Sequence, residues 1–155
     1  METSIVSYLS ARPSRDVVGI ARQQLTQQWW DTRKDQFDLV VSPIVADEAS
    51  RGDLVAASKR LQVIKPLRHI QPTQQVREFT KRLLVAGALP QKAADDALHI
   101  ALAVIHQIDY LLTWNCRHID NAQTKPLIRR LCLEQGLHFP EICTPEELMG
   151  DQENG

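Results

Sequence analysis

Short apolar runs alternate along the chain with segments of helical periodicity, and this alternation limits the folds that are open to it. Residues 37–42, 110–113 and 137–142 are apolar runs of strand length, and residues 65–70 are compatible with a short edge strand. The strongest helical segment, residues 91–106, repeats apolar side chains at steps of three and four. Strands separated by helices favour parallel pairing in a covered sheet. The sequence therefore predicts an α/β fold in which a parallel sheet is flanked by helices on both faces.

Polar residues of the type that cap helix N-termini precede several helical segments. Ser42, Asp53 and Thr73 are predicted to be such caps, the first of them followed by a proline in the first turn. Ser14 is expected to cap an earlier helix with one apolar face, made of Val17, Ala21, Leu25 and Trp29. The Trp29-Trp30 pair at the end of this helix is interpreted as core packing, with a partner surface as the alternative.

A chain of 155 residues with 43% hydrophobic and 24% charged residues is of ordinary composition for one globular domain. We expect residues 1–142 to form that domain, and residues 143–155 to form a short C-terminal helix and an acidic tail. Residues 1–140 carry 18 Lys and Arg against 14 acids, a net charge of +4, whereas the five acids after Pro140 have no basic neighbours. A modestly basic body is compatible with a nucleic-acid partner.

Several classes of protein are disfavoured by the sequence. No apolar run approaches the roughly 18 residues of a membrane span, and the N-terminus has no secretory signal, so a cytoplasmic location is expected. Cys116, Cys132 and Cys143 lack the C-x-x-C spacing of a zinc site, and we expect reduced, mostly buried thiols. The chain also lacks the glycine-rich G-x-x-x-x-G-K phosphate loop.

Four acidic or amide residues lie where an α/β fold would bring them together. Glu2 and Asn115 are expected just past two strands, while Glu48 and Asp96 lie in helices that reach the same edge of the sheet. Ligands of such folds bind at the carboxyl ends of the strands. Because Mg²⁺ and Mn²⁺ prefer oxygen ligands, this convergence predicts a divalent-metal site and phosphodiester chemistry.

Each of these residues also has a plainer interpretation. Glu48 taken alone is an ordinary exposed helix glutamate, and Asp95 and Asp96 lie where acids stabilise the start of a helix. His99, one turn after Asp96, is interpreted as a packed or hydrogen-bonded histidine, with a role at the site as the alternative. His118 follows the rim of a strand, where contact with phosphate and a solvated loop are equally compatible with the sequence.

Four segments together resemble the motifs of a known family. Residues 1–7 (METSIVS), 42–48 (SPIVADE), 96–103 (DALHIALA) and 112–118 (LTWNCRH) resemble, in order, the motifs of PIN-domain ribonucleases. The similarity is to the VapC-like toxins of bacterial type II toxin–antitoxin pairs. It runs from residue 1 to about residue 142, and the last two segments are its specific part.

The resemblance implies a metal-dependent endoribonuclease, a hydrolase that cuts RNA phosphodiester bonds with Mg²⁺ (or Mn²⁺). It also implies an RNA substrate, a cognate antitoxin protein and a homodimer, with no membrane partner. The implied catalytic residues are Glu2, Glu48, Asp96 and Asn115, of which the first three are metal ligands. Their positions beside these residues make Thr3, Ser4 and Arg117 the candidate substrate-binding residues: Thr3 or Ser4 is placed to orient the Glu2 carboxylate or a metal-bound water. For Arg117, as for His118, contact with phosphate and a solvated loop are equally compatible with the sequence.

The chain departs from the family pattern at three places. Only Met1 precedes Glu2, so the first strand is expected to be truncated, and aspartate is more usual at the position of Glu2. Asn115 stands in place of an acid and lowers the charge of the site. One alternative is therefore a catalytically impaired PIN-like module that binds RNA or a protein partner. A phosphatase is a second alternative, but it needs a nucleophilic aspartate where this chain has Glu2.

Overall fold

Helices form most of residues 1–150, the part of the chain that the computed structural model describes. Its strands are short and alternate with one or more helices along the chain, so the protein is a mixed α/β protein, as the alternation of the sequence predicts. The helices are α1 (Thr3–Ser10), α2 (Val17–Thr32), α3 (Pro43–Ser50), α4 (Leu54–Ile64), α5 (Gln74–Val85), α6 (Ala94–Ile105) and α7 (Lys125–Glu134). The strands are β1 (Val40–Val41), β2 (Arg68–His69), β3 (Tyr110–Leu112) and β4 (Glu141–Cys143).

The strands pair in parallel, as expected, but as two separate pairs within the described residues. Strand β1 pairs with β2, with Val40 opposite Arg68, and β3 pairs with β4, with Tyr110 opposite Glu141. Strand β4 is shorter than the predicted 137–142 and begins after Pro140. A proline has no amide hydrogen for a strand ladder, which accounts for the late start.

The first two residues of the chain lie between these strand pairs. The Met1 ammonium nitrogen donates to the Val40 carbonyl at 3.0 Å, and the Glu2 amide donates to the Leu112 carbonyl at 3.0 Å. Glu2 has an extended backbone, and α1 begins directly after it. Residues 1–2 therefore occupy the position between β1 and β3 where the shortened first strand is expected.

The predicted helix caps are partly confirmed. The Asp53 side chain accepts from the Ala56 amide at 2.9 Å, and the Thr73 hydroxyl accepts from the Val76 amide at 3.3 Å. The cap of α2 is Asp16, whose carboxylate accepts from Gly19, so the assignment to Ser14 was wrong. The Ser42 side chain makes no capping hydrogen bond, although Pro43 does begin α3.

Burial differs from the predicted pattern on α2. Trp29 is only 1% exposed, which confirms that it belongs to the core, but Val17 is 79% exposed and Ala21 is also exposed. Helix α2 instead buries Gly19, Thr26 and Trp29. Helix α6 is apolar and buried over most of its circumference. It packs against α5 and β3, and its buried residues belong to the largest core cluster together with residues of α7.

The C-terminal segment forms a turn in the described part, where a short helix was expected. The capping-box hydrogen bonds are present, because the Glu147 carboxylate accepts from both the amide and the hydroxyl of Thr144. Leu148 and Met149 pack against the cluster that contains Trp29. Two acids of the expected tail, Asp151 and Glu153, lie outside the described residues.

The three cysteines are free, and burial distinguishes them. Cys132 and Cys143 are buried, as expected, and burial raises their thiol pKa values to about 11 and about 12 respectively. Cys116 is exposed. Among residues 1–150, every helix is too short or too polar to cross a lipid bilayer.

Candidate metal centre

Glu2 presents a buried and well-anchored carboxylate at the start of α1. The residue is 6% exposed, and its Oε2 accepts from the Ser4 hydroxyl at 2.5 Å and from the Thr113 hydroxyl at 2.7 Å. Its Oε1 accepts from the Ser4 amide at 3.1 Å. Two elements that are distant in sequence, α1 and the segment after β3, therefore fix the position of this carboxylate.

Glu48 lies on α3, the helix that follows β1, and its Oε2 accepts from two side chains. One is the Thr3 hydroxyl, and the other is His99 Nε2 at 3.1 Å. Burial raises the pKa of Glu48, but the hydrogen bonds from His99 and Thr3 and the nearby charges of His99 and Arg51 outweigh it. The pKa lies below its ordinary value of 4.5, which favours the charged carboxylate at neutral pH.

Glu2, Glu48 and His99 form a compact group of potential metal ligands. One carboxylate oxygen from each glutamate and one ring nitrogen of His99 all lie within 4.8 Å of one another. His99 is 4% exposed, and it lies on α6 with its ring directed at α3. The expectation that His99 is packed and hydrogen-bonded is confirmed, and the same geometry also brings it to the two carboxylates.

Asp96 lies one turn before His99 on α6 and has different partners. Its Oδ1 accepts from Asn115 Nδ2 at 2.9 Å, and its Oδ2 lies 2.7 Å from His118 Nδ1. Asn115 Oδ1 in turn accepts from the His118 amide at 3.2 Å. These three side chains form a second cluster, and Asp96 is not one of the three residues with mutually close ligand atoms.

The two clusters are joined through the segment that follows β3. The Thr113 hydroxyl donates to Glu2 and accepts from the Asn115 amide at 2.9 Å. The Ser4 hydroxyl, which donates to Glu2, accepts from the Trp114 amide at 2.8 Å. Glu2 and Asn115, expected at neighbouring strand ends, are thus two hydrogen bonds apart.

Of the three candidate substrate-binding residues, two contact the carboxylates of the site and one is exposed. Thr3 and Ser4 hold the carboxylates of Glu48 and Glu2, so the structure gives both hydroxyls an orienting position. Arg117 is exposed in the turn after Asn115, and its guanidinium takes part in none of the hydrogen bonds or ion pairs described for residues 1–150.

Two histidines of the site were underestimated from the sequence. His99 follows Asp96 by three residues, a spacing that places both on one face of a helix. His118 follows Asn115 by three residues within one turn. Both spacings are visible in the sequence, but only the packing of α6 against α3 and the β3 end shows which acid each ring meets.

The donor set of the first cluster is suited to a divalent metal ion. Two carboxylates balance the charge of such an ion, and an imidazole nitrogen adds a neutral donor. Placing a buried and a half-buried carboxylate side by side is otherwise costly, and here both are already ordered by hydroxyl groups. The fold and the site together therefore define a mixed α/β protein with a candidate centre for a divalent metal ion.

No protein family, curated protein or solved structure was found to match the chain. The function is accordingly inferred from the residues of the site and from the motifs in the sequence.

Proposed function

We propose that the protein is a metal-dependent endoribonuclease with a PIN-like fold, and that it is the toxin of a type II toxin–antitoxin pair. The observation that carries the proposal is the convergence of Glu2 and Glu48, residues from two of the four resembling segments. Their carboxylate oxygens, from the start of α1 and from α3, lie within 4.8 Å of one another. Asp96, from the third segment, lies one helical turn from His99 of the same cluster.

The proposed reaction is hydrolysis of an RNA phosphodiester bond. The oxygen of water forms a bond to phosphorus, the bond to the leaving ribose oxygen breaks, and that oxygen takes up a proton. A bound Mg²⁺ or Mn²⁺ supplies positive charge that offsets the charge developing on the phosphate oxygens. Glu2 and Glu48 hold the ion, while Ser4, Thr113 and Thr3 fix the orientation of their carboxylates.

In this proposal the second cluster, made of Asp96, Asn115 and His118, contacts the RNA substrate. Asp96 fixes the His118 ring through Nδ1, and Nε2 makes no hydrogen bond with any other residue in the range 1–150. The neighbouring Arg117 is exposed, so an imidazole and a guanidinium are available to an RNA phosphate. Phosphate contacts of this kind position RNA without reading its sequence.

The substrate, protein partner, oligomeric state and location that we propose follow from the same resemblance. The substrate is RNA, the protein partner is a cognate antitoxin, the active form is a homodimer, and the location is the cytoplasm. The net charge of +4 over residues 1–140 supports a polyanionic substrate.

The proposal is tested with purified protein and a panel of structured and single-stranded RNAs. Cleavage is expected with Mg²⁺ or Mn²⁺ and is expected to stop when a chelator is added. Glu48→Gln keeps the side-chain shape but removes the charge, and it should abolish cleavage. Asp47→Asn is the matched control, because Asp47 is the adjacent acid of α3 and is exposed. Cleavage in excess chelator would overturn the metal-dependent reaction.

A different result identifies the alternative function. Both carboxylate oxygens of Asp96 already accept from protein donors, which also suits a purely structural aspartate. If the protein binds RNA or a protein partner tightly but cuts no RNA with either ion, a catalytically impaired PIN-like binding module is the better description.

A further inference from the structure

The imidazole of His99 distinguishes the candidate metal centre from an all-oxygen magnesium site. We propose that His99 Nε2 is the third protein ligand of the ion, and that it makes the centre select transition-metal ions such as Mn²⁺ over Mg²⁺. This inference rests on the metal site of the proposed function but not on the cleavage of RNA.

The position of the ring supports ligation by His99. Its Nε2 is 3.1 Å from Glu48 Oε2, and a ring nitrogen of His99 belongs to the group of ligand atoms within 4.8 Å of one another, which includes Glu2. Glu2 is not a hydrogen-bond partner of His99, so the need to satisfy the ring does not account for that closeness. Glu48 Oε1 accepts no hydrogen bond from residues 1–150 and remains available as a donor atom.

The burial of His99 strengthens the argument. The ring comes from α6, is 4% exposed and cannot leave the cluster without repacking the core around that helix. A ligand held in this way is preorganised, and the ion does not have to order a mobile side chain. An imidazole that is buried beside two carboxylates therefore faces any cation that they bind.

The chemistry of the nitrogen determines the selectivity. Mg²⁺ loses its water reluctantly and takes oxygen ligands in a near-ideal octahedron. First-row transition-metal ions accept an imidazole nitrogen more readily than Mg²⁺ does, and within that series the affinity for nitrogen and oxygen sites rises from Mn²⁺ to Cu²⁺. A centre of two carboxylates and one imidazole should therefore bind Mn²⁺ more tightly than a purely carboxylate site of the same charge.

The test compares the wild type with His99→Gln and His138→Gln. In the first variant, the amide can still donate to Glu48, but it offers an oxygen in place of the nitrogen. The second variant is the matched control, because His138 is exposed and away from the cluster. Mn²⁺ and Mg²⁺ affinities are measured by calorimetric titration of each protein without RNA, and pulsed electron paramagnetic resonance detects nitrogen coupled to bound Mn²⁺.

We expect Mn²⁺ to bind the wild type at least about tenfold more tightly than Mg²⁺, with a ¹⁴N coupling in the spectrum. His99→Gln should lose the coupling and weaken Mn²⁺ binding by roughly 10-fold or more, at least the cost of removing a partner of a metal ligand, while Mg²⁺ binding weakens less. His138→Gln should match the wild type.

Two results would overturn the inference. One is Mn²⁺ bound to the wild type without nitrogen coupling, a measurement that needs no variant to fold. The other is the absence of binding by either ion at millimolar concentration, which would also remove the metal-dependent reaction. Mn²⁺ binding with nitrogen coupling but without RNA cleavage would instead uphold the role of His99 and reject the ribonuclease.

Discussion

His118 Nδ1 lies 2.7 Å from Oδ2 of Asp96, and the other oxygen of that carboxylate accepts from Asn115. This pairing links the first turn of α6 to the turn after β3, two segments that both resemble the family motifs. It gives each carboxylate oxygen of Asp96 a protein hydrogen-bond partner before any ion or substrate binds. The contribution of Asp96 to activity can therefore be separated from its contribution to stability.

The first prediction concerns Asp96→Asn. An asparagine oxygen can accept from Asn115 while its amide donates to the other tautomer of His118, so both hydrogen bonds can persist. Cleavage should be lost with the negative charge, whereas the free energy of unfolding without metal should change by about 1 kcal/mol or less. Cleavage assays and thermal melts measure the two effects.

Asp95→Asn is the control for this substitution, because Asp95 is the exposed neighbour on the same helix. It should leave both cleavage and stability near those of the wild type. If Asp96→Asn still cuts RNA, or unfolds much more readily than Asp95→Asn, Asp96 has a structural role and is not part of the active site.

Local signals account for the parts of the fold that could be predicted from the sequence. Asp53 and Thr73 cap helices as predicted, because a cap depends on residues within one turn. The inward face of α2 was predicted wrongly, with Val17 exposed in the structure. Which face of a helix is buried depends on the elements it meets, and α2 is placed by a hydrogen bond between Thr26 and Trp114.

The candidate site shows the same division between local and distant effects. Glu2, expected just past a strand, and Glu48, expected on a helix that reaches the same edge, were predicted to converge, and their ligand atoms lie within 4.8 Å of one another. The pairing of His99 with Glu48 joins residues 51 positions apart, and no local pattern encodes it. Which acid His99 meets depends on how α6 is placed relative to α3. The helix-forming pattern of the two segments does not determine that placement.

A second prediction tests the link between α2 and the segment after β3. The indole of Trp114 donates to the Thr26 hydroxyl at 2.8 Å, and both residues are buried. Thr26→Val keeps the shape but leaves the indole without an acceptor, which should cost about 1–3 kcal/mol of unfolding free energy. Chemical denaturation measures this loss.

Two variants serve as controls for Thr26→Val. Thr26→Ser retains the hydroxyl and should recover part of the stability. Thr32→Val removes a hydroxyl of the same helix that is exposed and bonds only to the Gln28 carbonyl, so its effect should be small. Equal losses in Thr26→Val and Thr32→Val would contradict the importance of the indole hydrogen bond.

A third prediction concerns pH and the Met1 amine. Burial lowers the pKa of this amine from 8.0 to about 6, although the Glu2 carboxylate acts to raise it. Between these values the unfolded chain binds more protons than the folded protein, so stability should rise as the pH increases from 6 to 8. The full difference is worth roughly 3 kcal/mol at 1.4 kcal/mol per pKa unit.

Acetylation of the Met1 amine gives the comparison for this measurement. The acetylated protein has no charge to remove at this position, so its stability should depend less on pH between 6 and 8. The same pH dependence in both forms would show that the amine does not titrate as described and that other groups cause the effect.

The final prediction concerns the space beside Met1. A cavity of about 540 Å³ lies between β1 and β3, and its lining includes Met1, Trp29, Val40 and Leu112. The buried Trp29 indole N–H has no hydrogen-bond partner among residues 1–150, so a carbonyl placed there would satisfy it. Five to seven apolar residues added before Met1 should extend the strand between β1 and β3 into this space. Several kcal/mol of stabilisation are expected, at roughly 1.5–3 kcal/mol for each large aliphatic side chain that becomes buried.

A Gly/Ser extension of the same length is the matched control for this experiment. Both extensions convert the buried Met1 amine into an amide, so the difference between their thermal midpoints reports packing and strand pairing alone. The apolar extension should melt several degrees higher than the Gly/Ser extension, and it should raise cleavage because Glu2 is then held at the end of a longer strand. If the two melt together, the space between β1 and β3 does not accept a strand, and Met1 and Glu2 hold this part of the fold without one.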